Sequence, residues 1–150
     1  MLPNYGQKYE AEALFSPEDA VEAQGEGLAD LPPAIILGYQ QELTDAVERR
    51  AGEPVEIVRS QRLLPITETV GYVPVHEVGI GAPVTAIVTE NVIAAGAEAV
   101  AMVGGGACLQ PEIDPETALL PTETIRDEGA SYHYVPEEQP VTPSESLVTS

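Results

Sequence analysis

The chain has 150 residues and an apolar content of 43%, which suits one domain with a hydrophobic core. It carries 25 Asp and Glu residues against 6 Lys and Arg residues, so its formal charge is −19. Such a surface repels nucleic acids and anionic membranes, which argues against both as partners. The composition is typical of proteins adapted to concentrated salt, with an acidic mesophilic protein as the alternative.

The cysteine content and the hydropathy of the chain indicate the cellular compartment of the protein. The single cysteine, Cys108, rules out an internal disulfide framework and cannot form a thiolate metal site alone. It lies among small residues, so we expect a buried structural thiol. No apolar run has the length of a signal-peptide core or of a membrane span. We therefore expect a soluble, cytoplasmic protein.

The first part of the chain predicts two helices and two strands. Ser16 followed by Pro17 and two acidic residues is typical of a helix N-cap, of a proline at the first helical position and of acids at the positive helix end. The predicted elements, in chain order, are a helix from Pro17 to about residue 24, a buried strand over residues 34–37 that ends at Gly38, a helix over residues 41–50 and a strand over residues 55–58. Residues 63–71 give no clear signal.

Residues 72–107 predict one strand, turn, helix and strand unit. The predicted elements are a β-branched strand over residues 73–78, a glycine turn over residues 79–81, a helix over about residues 83–95, a short parallel strand over residues 99–103 and a second glycine turn over residues 104–106. Open α/β sheets bind ligands outside the carboxyl ends of their strands, where glycine turns expose backbone N–H donors. We therefore expect these turns to share one edge of the sheet.

Beyond this unit, residues 117–121 predict a strand and residues 142–145 a capping box that begins a helix. The segment 125–136 is both aromatic and polar, and its Tyr-His-Tyr cluster fits a pocket for a flat ring or a cover for the core edge. The chain ends soon after that last helix begins. We expect it to be the front part of a longer protein.

Two other classes of site fit the sequence poorly. Val84 stands where a dinucleotide-binding turn needs a third glycine or an alanine, and no acidic residue ends the next strand. The phosphate loop of nucleotide hydrolases is absent, since no Gly-Lys-Ser or Gly-Lys-Thr occurs. His76 and His133 are far apart along the chain, so no metal site is predicted.

Several motifs occur together in a fixed order. They are a strand that ends at Gly38, GIGAPVTAIVTE at residues 79–90, VGGGACLQPEI at residues 103–113 and DEGASYHYVP at residues 127–136. Their order and spacing resemble the N-terminal part of the purine nucleoside and uridine phosphorylase family, of the small-subunit, usually hexameric type. The match extends over about residues 34–136, and with the acidic composition it is haloarchaeal-like.

The resemblance implies a fold and an activity. The fold is α/β, with three layers and a central mixed, largely parallel sheet flanked by helices, incomplete at its C-terminus. It implies one domain over residues 1–150, with an extension and helix in residues 1–33 and the core in residues 34–150. The activity is that of a pentosyltransferase of nucleoside salvage, in which phosphate cleaves the N-glycosidic bond to give a free base and ribose 1-phosphate. Phosphate is a co-substrate, no cofactor is required, and the protein is a homodimer or a hexamer.

The resemblance also implies site residues. Phosphate is bound by Gly38, Gly104 and Gly105 and by an arginine from a neighbouring subunit, which is Arg62, with Arg59 as the competing alignment. The nucleoside pocket is lined by Gly106, Tyr132 and His133. No general acid for the leaving base is identified.

The chain departs from the family motifs at the phosphate site. Gly-Asp-Pro reads Gly38-Tyr39-Gln40 here, Met102 replaces the phosphate-binding arginine, and Gly105 replaces a threonine. Loss of a buried guanidinium costs a charge-assisted contact with phosphate. Three interpretations therefore stay open, namely a phosphorylase that uses Arg59 or Arg62, a hydrolase in which water replaces phosphate, and a non-enzymatic scaffold relative.

Overall fold

A computed structural model describes residues 8–23, 31–58 and 61–149. The chain divides into two compact units, Glu12–Gly105 and a second that joins Met1–Ala11 to Gly106–Ser150. The predicted single domain over residues 1–150 stays a prediction. Arg59 and the predicted C-terminal end of the first helix lie outside the described residues. None of the described helices has the length and apolar composition that crossing a bilayer requires.

The described residues form the elements α1 (Pro17–Glu22), β1 (Ala34–Gly38), α2 (Gln41–Glu48), β2 (Val55–Glu56), β3 (Arg62–Pro65), β4 (Val70–Pro74), a 3-10 turn (Val75–Glu77), α3 (Ala82–Ala94), β5 (Ala99–Val103), a second 3-10 turn (Ser131–His133) and α4 (Glu145–Thr149). The first unit is built on a five-stranded sheet with the strand order β2-β3-β4-β1-β5. Strand β1 pairs in parallel with β4 and β5, and β3 pairs antiparallel with β2 and β4. This confirms the predicted α/β fold with a mixed central sheet.

Helices cover both faces of this sheet. Successive strand residues point to opposite faces. On one face, Leu37 of β1 and Val73 of β4 belong to the buried core that also contains Val88 of α3. On the other face, the neighbouring Tyr72 forms a hydrogen bond of 2.8 Å with Thr44 of α2. The sheet therefore lies between two helical layers, as predicted.

Helix α1 begins as its sequence predicts. The Ser16 hydroxyl accepts a hydrogen bond of 3.1 Å from the Asp19 amide, and the Ser16 amide donates one of 2.7 Å to the Asp19 carboxylate. These bonds hold the pKa of Asp19 below its usual value, because they stabilise the charged carboxylate. Ala20 and Val21 pack against the core, which attaches this short helix to the first unit.

The predicted strand over residues 73–78 is wrong in its bounds. Strand β4 spans Val70–Pro74, and the chain then turns into the 3-10 segment Val75–Glu77. Pro74 has no N–H to donate to a strand ladder, which is consistent with the strand ending there. The helix predicted over residues 83–95 is confirmed as α3, Ala82–Ala94, and its N-cap Gly81 has φ +96°, where glycine is favoured.

Residues 63–71, for which the sequence gives no clear signal, include the turn and most of the β3–β4 hairpin. The Thr67 hydroxyl accepts hydrogen bonds from the amides of Thr69 (3.2 Å) and Val70 (3.0 Å), which closes the turn between the two strands. Leu64 is paired with Tyr72 in the sheet, and both side chains are buried. The apolar pattern of each strand is too short to predict either strand alone.

Two further predictions are wrong. Residues 117–121 form no strand, and the nearest extended pairing is a single bridge between Thr124 and Val141. Cys108 is exposed instead of buried, because the small residues after β5 form an extended surface segment in place of a packed element. Elsewhere β2 is shorter than predicted, at Val55–Glu56, and the last helix does begin at Glu145.

Candidate functional site

The parallel strands bring their carboxyl ends to one edge of the sheet. Gly38, the last residue of β1, pairs with Pro74 of β4 on one side and with Val103 of β5 on the other. The chain segments that follow these strands therefore leave the sheet side by side. This edge, which we call the carboxyl rim, includes Gly38 and the turn at Gly104 and Gly105.

Arg62 belongs to the same rim, although its strand runs in the opposite direction. Strand β3 is antiparallel to β4, with Leu64 opposite Tyr72. Continuing that register places Arg62, the first residue of β3, beside Pro74 at the carboxyl end of β4. Since adjacent strands are about 4.8 Å apart, Arg62 lies roughly 10 Å from β1 along the rim.

Tyr39 joins the loop after β1 to the start of α3. The Thr85 hydroxyl donates a 3.0 Å hydrogen bond to the Gly81 carbonyl, so its oxygen is left to accept one from the Tyr39 hydroxyl. This pair links residues that are 46 positions apart in the sequence. It ties the rim loop after β1 to the first turn of α3.

A buried polar chain lies directly beneath Gly38. A Cβ at this position would overlap the ring and the hydroxyl of Tyr72. That hydroxyl is 2.8 Å from the Thr44 hydroxyl, which is in turn 2.9 Å from Nε2 of His76. Glycine is therefore the residue that lets β1 end over this ring, and His76 has the structural role of a hydrogen-bonding partner.

Gln40 lies against the turn after β5. A Cβ at Gly105 would be 2.7 Å from Nε2 of Gln40, whereas a Cβ at Gly104 would have no neighbour within 4 Å. Gln40, Gly104 and Gly105 are all exposed. The loop after β1 therefore contacts both of its neighbours, α3 through Tyr39 and the β5 turn through Gln40.

Arg62 is held by two carboxylates of its own chain. Its guanidinium is 2.7 Å from Oε1 of Glu48 and 2.6 Å from Oε2 of Glu77. These hydrogen bonds raise the pKa of Arg62 above its usual value and lower the pKa of Glu77, because each ion stabilises the other. An open cavity of about 350 Å³ adjoins the pair and is also lined by Gly52 and Glu53. A phosphate that binds Arg62 therefore meets two carboxylates that already pair with the guanidinium.

In the second unit, Arg126 organises the segment that carries Tyr132 and His133. Its guanidinium donates hydrogen bonds to the Ser131 hydroxyl (2.9 Å) and to the carbonyls of Val135 (2.9 Å), Pro136 (2.6 Å) and Gln139 (3.0 Å). It also lies 4.1 Å from the centre of the Tyr132 ring, so one face of that ring is covered. His133 and Gly106 are exposed. The pocket roles of Gly106, Tyr132 and His133 stay predictions.

Sequence reasoning missed four residues of these arrangements. Tyr39 and Gln40 were seen only as departures from a motif, and nothing in the local pattern marks Thr85 or Arg126. The one signal was position, since Tyr39 and Gln40 follow a glycine that ends a buried strand. Among residues 8–23, 31–58 and 61–149, no three His, Cys, Asp or Glu side chains are grouped closely enough to hold a metal ion.

Comparisons with known proteins agree with this architecture. A family model described as the phosphorylase superfamily matches residues 32–150. A uridine phosphorylase of Treponema pallidum is 31% identical over 117 residues, which is 77% of this chain and 45% of that protein. A uridine phosphorylase of Haemophilus influenzae is 34% identical over 79 residues, which is 49% of this chain and 31% of that protein. The chain thus spans less than half the length of these relatives.

Two solved structures share the fold. The crystal structure of a uridine phosphorylase from Vibrio fischeri matches with a TM-score of 0.64 and 21% identity, over 93% of this chain and 57% of that one. A second structure of the enzyme from that organism, in complex with 6-hydroxy-1-naphthoic acid, matches with a TM-score of 0.63 and 22% identity, over 79% of this chain and 50% of that one. These matches identify the fold as that of nucleoside phosphorylases.

Proposed function

This chain belongs to the phosphorylase superfamily, and from that membership we propose that it cleaves the N-glycosidic bond of a nucleoside with phosphate. A phosphate oxygen bonds to the anomeric carbon of the sugar, and the C–N bond breaks. The bonding electrons leave with the base, which then takes up a proton. The products are a free base and ribose 1-phosphate.

The convergence of the rim loops is the observation that carries this proposal. Gly38 and the Gly104–Gly105 turn end parallel strands at one edge of the sheet. When the C–N bond breaks, the sugar becomes cation-like, so the phosphate dianion must be held close against it. Backbone N–H groups at Gly38, Gly104 and Gly105 bind the phosphate oxygens in this proposal.

The phosphate dianion also needs a cation, and Arg62 of a second copy of the chain supplies it. Within one copy Arg62 pairs with Glu48 and Glu77, and both acidic side chains are partly exposed. Exposed ion pairs of this kind are worth about 0–1 kcal/mol each, so the pairing within one copy holds Arg62 only weakly. The protein acts as a homodimer or a hexamer.

Base release decides between the three interpretations. The full-length protein is assayed in molar salt with uridine, inosine and adenosine, each with and without phosphate. Uridine is the first substrate to test, since both curated relatives are uridine phosphorylases. Release that requires phosphate and yields ribose 1-phosphate supports the proposal. Release that is unaffected by phosphate identifies a hydrolase, and no release from any nucleoside identifies a scaffold relative; either result overturns it.

A gain-of-charge variant tests the location of the phosphate. Met102 is 66% exposed near the end of β5, where the related motif has arginine. Met102→Arg adds a guanidinium at the rim, and we expect it to lower the phosphate KM by about tenfold. Ala101→Arg is the matched control, because the preceding strand residue points to the opposite face. Equal effects of the two substitutions would indicate only a general charge effect.

Complementation tests the origin of the cation. Arg62→Ala and Gly105→Glu are each expected to abolish phosphate-dependent release when they are assayed separately. Mixed oligomers of the two variants regain part of the activity if Arg62 acts on the neighbouring copy, because one site then contains neither substitution. A mixture that stays inactive, although analytical ultracentrifugation shows mixed oligomers, would place Arg62 in its own subunit's site.

A further inference from the structure

We propose that the carboxamide of Gln40 binds the phosphate co-substrate, as the side-chain donor above the Gly104–Gly105 turn. This inference rests on the proposed function. It assigns a phosphate-binding role to Gln40, a residue of the carboxyl rim, from its contacts and from the space around its side chain.

The nitrogen end of Gln40 faces the glycine turn. A Cβ at Gly105 would lie 2.7 Å from Nε2, 3.6 Å from Cδ and 3.9 Å from Oε1 of Gln40, so the amide nitrogen is the nearest atom. Apart from Gly105 and its two chain neighbours, no described residue has atoms nearer to that position. The donor group of Gln40 therefore occupies the volume that a side chain at residue 105 would fill.

The carboxamide is available to a ligand. It forms no hydrogen bond with any residue in the described part of the chain, and the side chain does not cap α2, although Gln40 is the N-cap residue. Its amide nitrogen carries two N–H donors. Gln40 is exposed at the rim, so a ligand reaches it without a change of fold.

A neutral donor suits this chain. Asp and Glu residues outnumber Lys and Arg by 25 to 6, so cationic side chains readily find acidic partners. Arg62 illustrates this, since Glu48 and Glu77 already bind its guanidinium. A carboxamide attracts carboxylates less strongly than a guanidinium does, and its N–H groups still donate to phosphate oxygens.

The loop that carries Gln40 is fixed on its other side. The preceding Tyr39 is bonded to Thr85 at the start of α3, and Gly38 is held over Tyr72. A donor on a supported loop loses less backbone conformational entropy when it binds a ligand than a donor on a mobile loop does. Because Gly105 has no side chain, the donor group of Gln40 has the space that it occupies beside the turn.

Substitution of Gln40 tests this role through the kinetics of base release. We expect Gln40→Ala to raise the phosphate KM by about tenfold and to leave the nucleoside KM within about twofold, because a hydrogen bond to a charged oxygen is lost. Gln40→Glu keeps the size but replaces the donor with a negative acceptor, so its effect should be larger. The control is Gln41→Ala, whose carboxamide donates to Asp45 at 2.7 Å on the surface of α2.

The pairing with Gly105 gives a second test. Gly105→Ala introduces a Cβ against the Gln40 amide, so we expect the phosphate KM to rise in the single variant. In the Gln40→Ala background the same substitution should add little, since the clash is gone. Melting temperatures by circular dichroism check that each variant is folded. A phosphate KM that stays within twofold in both Gln40→Ala and Gln40→Glu would overturn the inference.

Direct phosphate binding separates this inference from the proposed function. If the wild-type protein releases no base, the proposed function fails, and calorimetric titration with inorganic phosphate then decides the role of Gln40. Binding by the wild-type protein and by Gln41→Ala, but not by Gln40→Glu, supports the inference. Equal binding by all three proteins, or no binding by the wild-type protein, refutes it.

Discussion

The Tyr72 ring lies directly against Gly38, with its hydroxyl where a Cβ of residue 38 would stand. Tyr72 is 1% exposed, and its hydroxyl is bonded to Thr44 of α2. The ring is therefore enclosed between the sheet and a helix, and its hydroxyl is held by Thr44. The position of the Tyr72 ring in β4 thus requires that the last residue of β1 has no side chain.

Gly38→Ala should be destabilising. The added methyl group meets a fixed ring, so we expect the free energy of unfolding to fall by about 1–3 kcal/mol, as for other overpacked cores. Urea unfolding in molar salt measures this. Gly52→Ala is the matched control, because a Cβ there would be 3.9 Å from its nearest neighbour, Pro65. Equal losses in the two variants would contradict the close contact at Gly38.

The hydrogen bond between Tyr39 and Thr85 should appear as an interaction energy. We expect a double-mutant cycle of Tyr39→Phe and Thr85→Val to give about 1 kcal/mol of coupling in the free energy of unfolding, since the two hydroxyls bond across elements. Thr89→Val, one turn further along α3, is the control. Its hydroxyl forms no hydrogen bond with a described residue, so a cycle with Tyr39→Phe should show no coupling. Additive losses in the Tyr39 and Thr85 pair would show that the bond is absent in solution.

The contribution of Glu77 to stability should depend on pH. Arg62 holds the pKa of Glu77 below its ordinary value of 4.5, so the folded state favours the carboxylate. The resulting stabilisation is complete above the unfolded pKa and is lost as the pH falls through the lower folded pKa. We expect Glu77→Gln to cost up to about 1 kcal/mol at pH 7 and almost nothing at pH 2.

Urea unfolding of the wild-type and Glu77→Gln proteins across this pH range measures the effect. The matched control is Glu53→Gln, since Glu53 lines the cavity beside Arg62 and forms no salt bridge with a described residue. Glu53→Gln should not reproduce the loss of stability that Glu77→Gln causes at pH 7. A constant difference between wild type and Glu77→Gln from pH 7 to pH 2 would rule out the ion pair as the cause.

Arg126→Lys should loosen the segment that carries Tyr132. An ammonium group cannot reproduce a planar guanidinium that donates to several carbonyls at once, so this segment should open more easily. We expect backbone amides in residues 126–139 to exchange with deuterium at least about tenfold faster, measured by mass spectrometry. Arg50→Lys is the control, because the Arg50 guanidinium donates to one acceptor among the described residues, the Ala46 carbonyl of α2. Unchanged exchange in residues 126–139 would show that Arg126 does not organise them.

Local signals were sufficient for several elements. Strand β1 follows from a short apolar run before Gly38, β5 has its predicted bounds, and α3 is displaced by one residue. In each case the signal lies within the element and its flanking glycines. The family also followed from the sequence, because its motifs are short segments that keep their order along the chain.

Other features depended on pairing between distant segments. The β3–β4 hairpin is stabilised by the turn at Thr67 and by burial of Leu64 against Tyr72, neither of which a four-residue strand reveals. The strand predicted over residues 73–78 failed because an apolar, β-branched run does not show where hydrogen bonding ends. The exposure of Cys108 could not be read from its small neighbours, since exposure depends on what packs above them.

By itself, the sequence determined the family, the α/β class and the positions of the glycine turns, because these follow from composition and short-range pattern. Only the tertiary structure decided which side chains meet at the rim. The hydroxyl of Tyr39 bonds to Thr85, Gln40 lies against Gly105, and the guanidinium of Arg62 bonds to Glu77. The pairing of the strands brings these distant residues together. Backbone preferences act over a few residues, whereas these contacts form only after strands that are distant in sequence have paired.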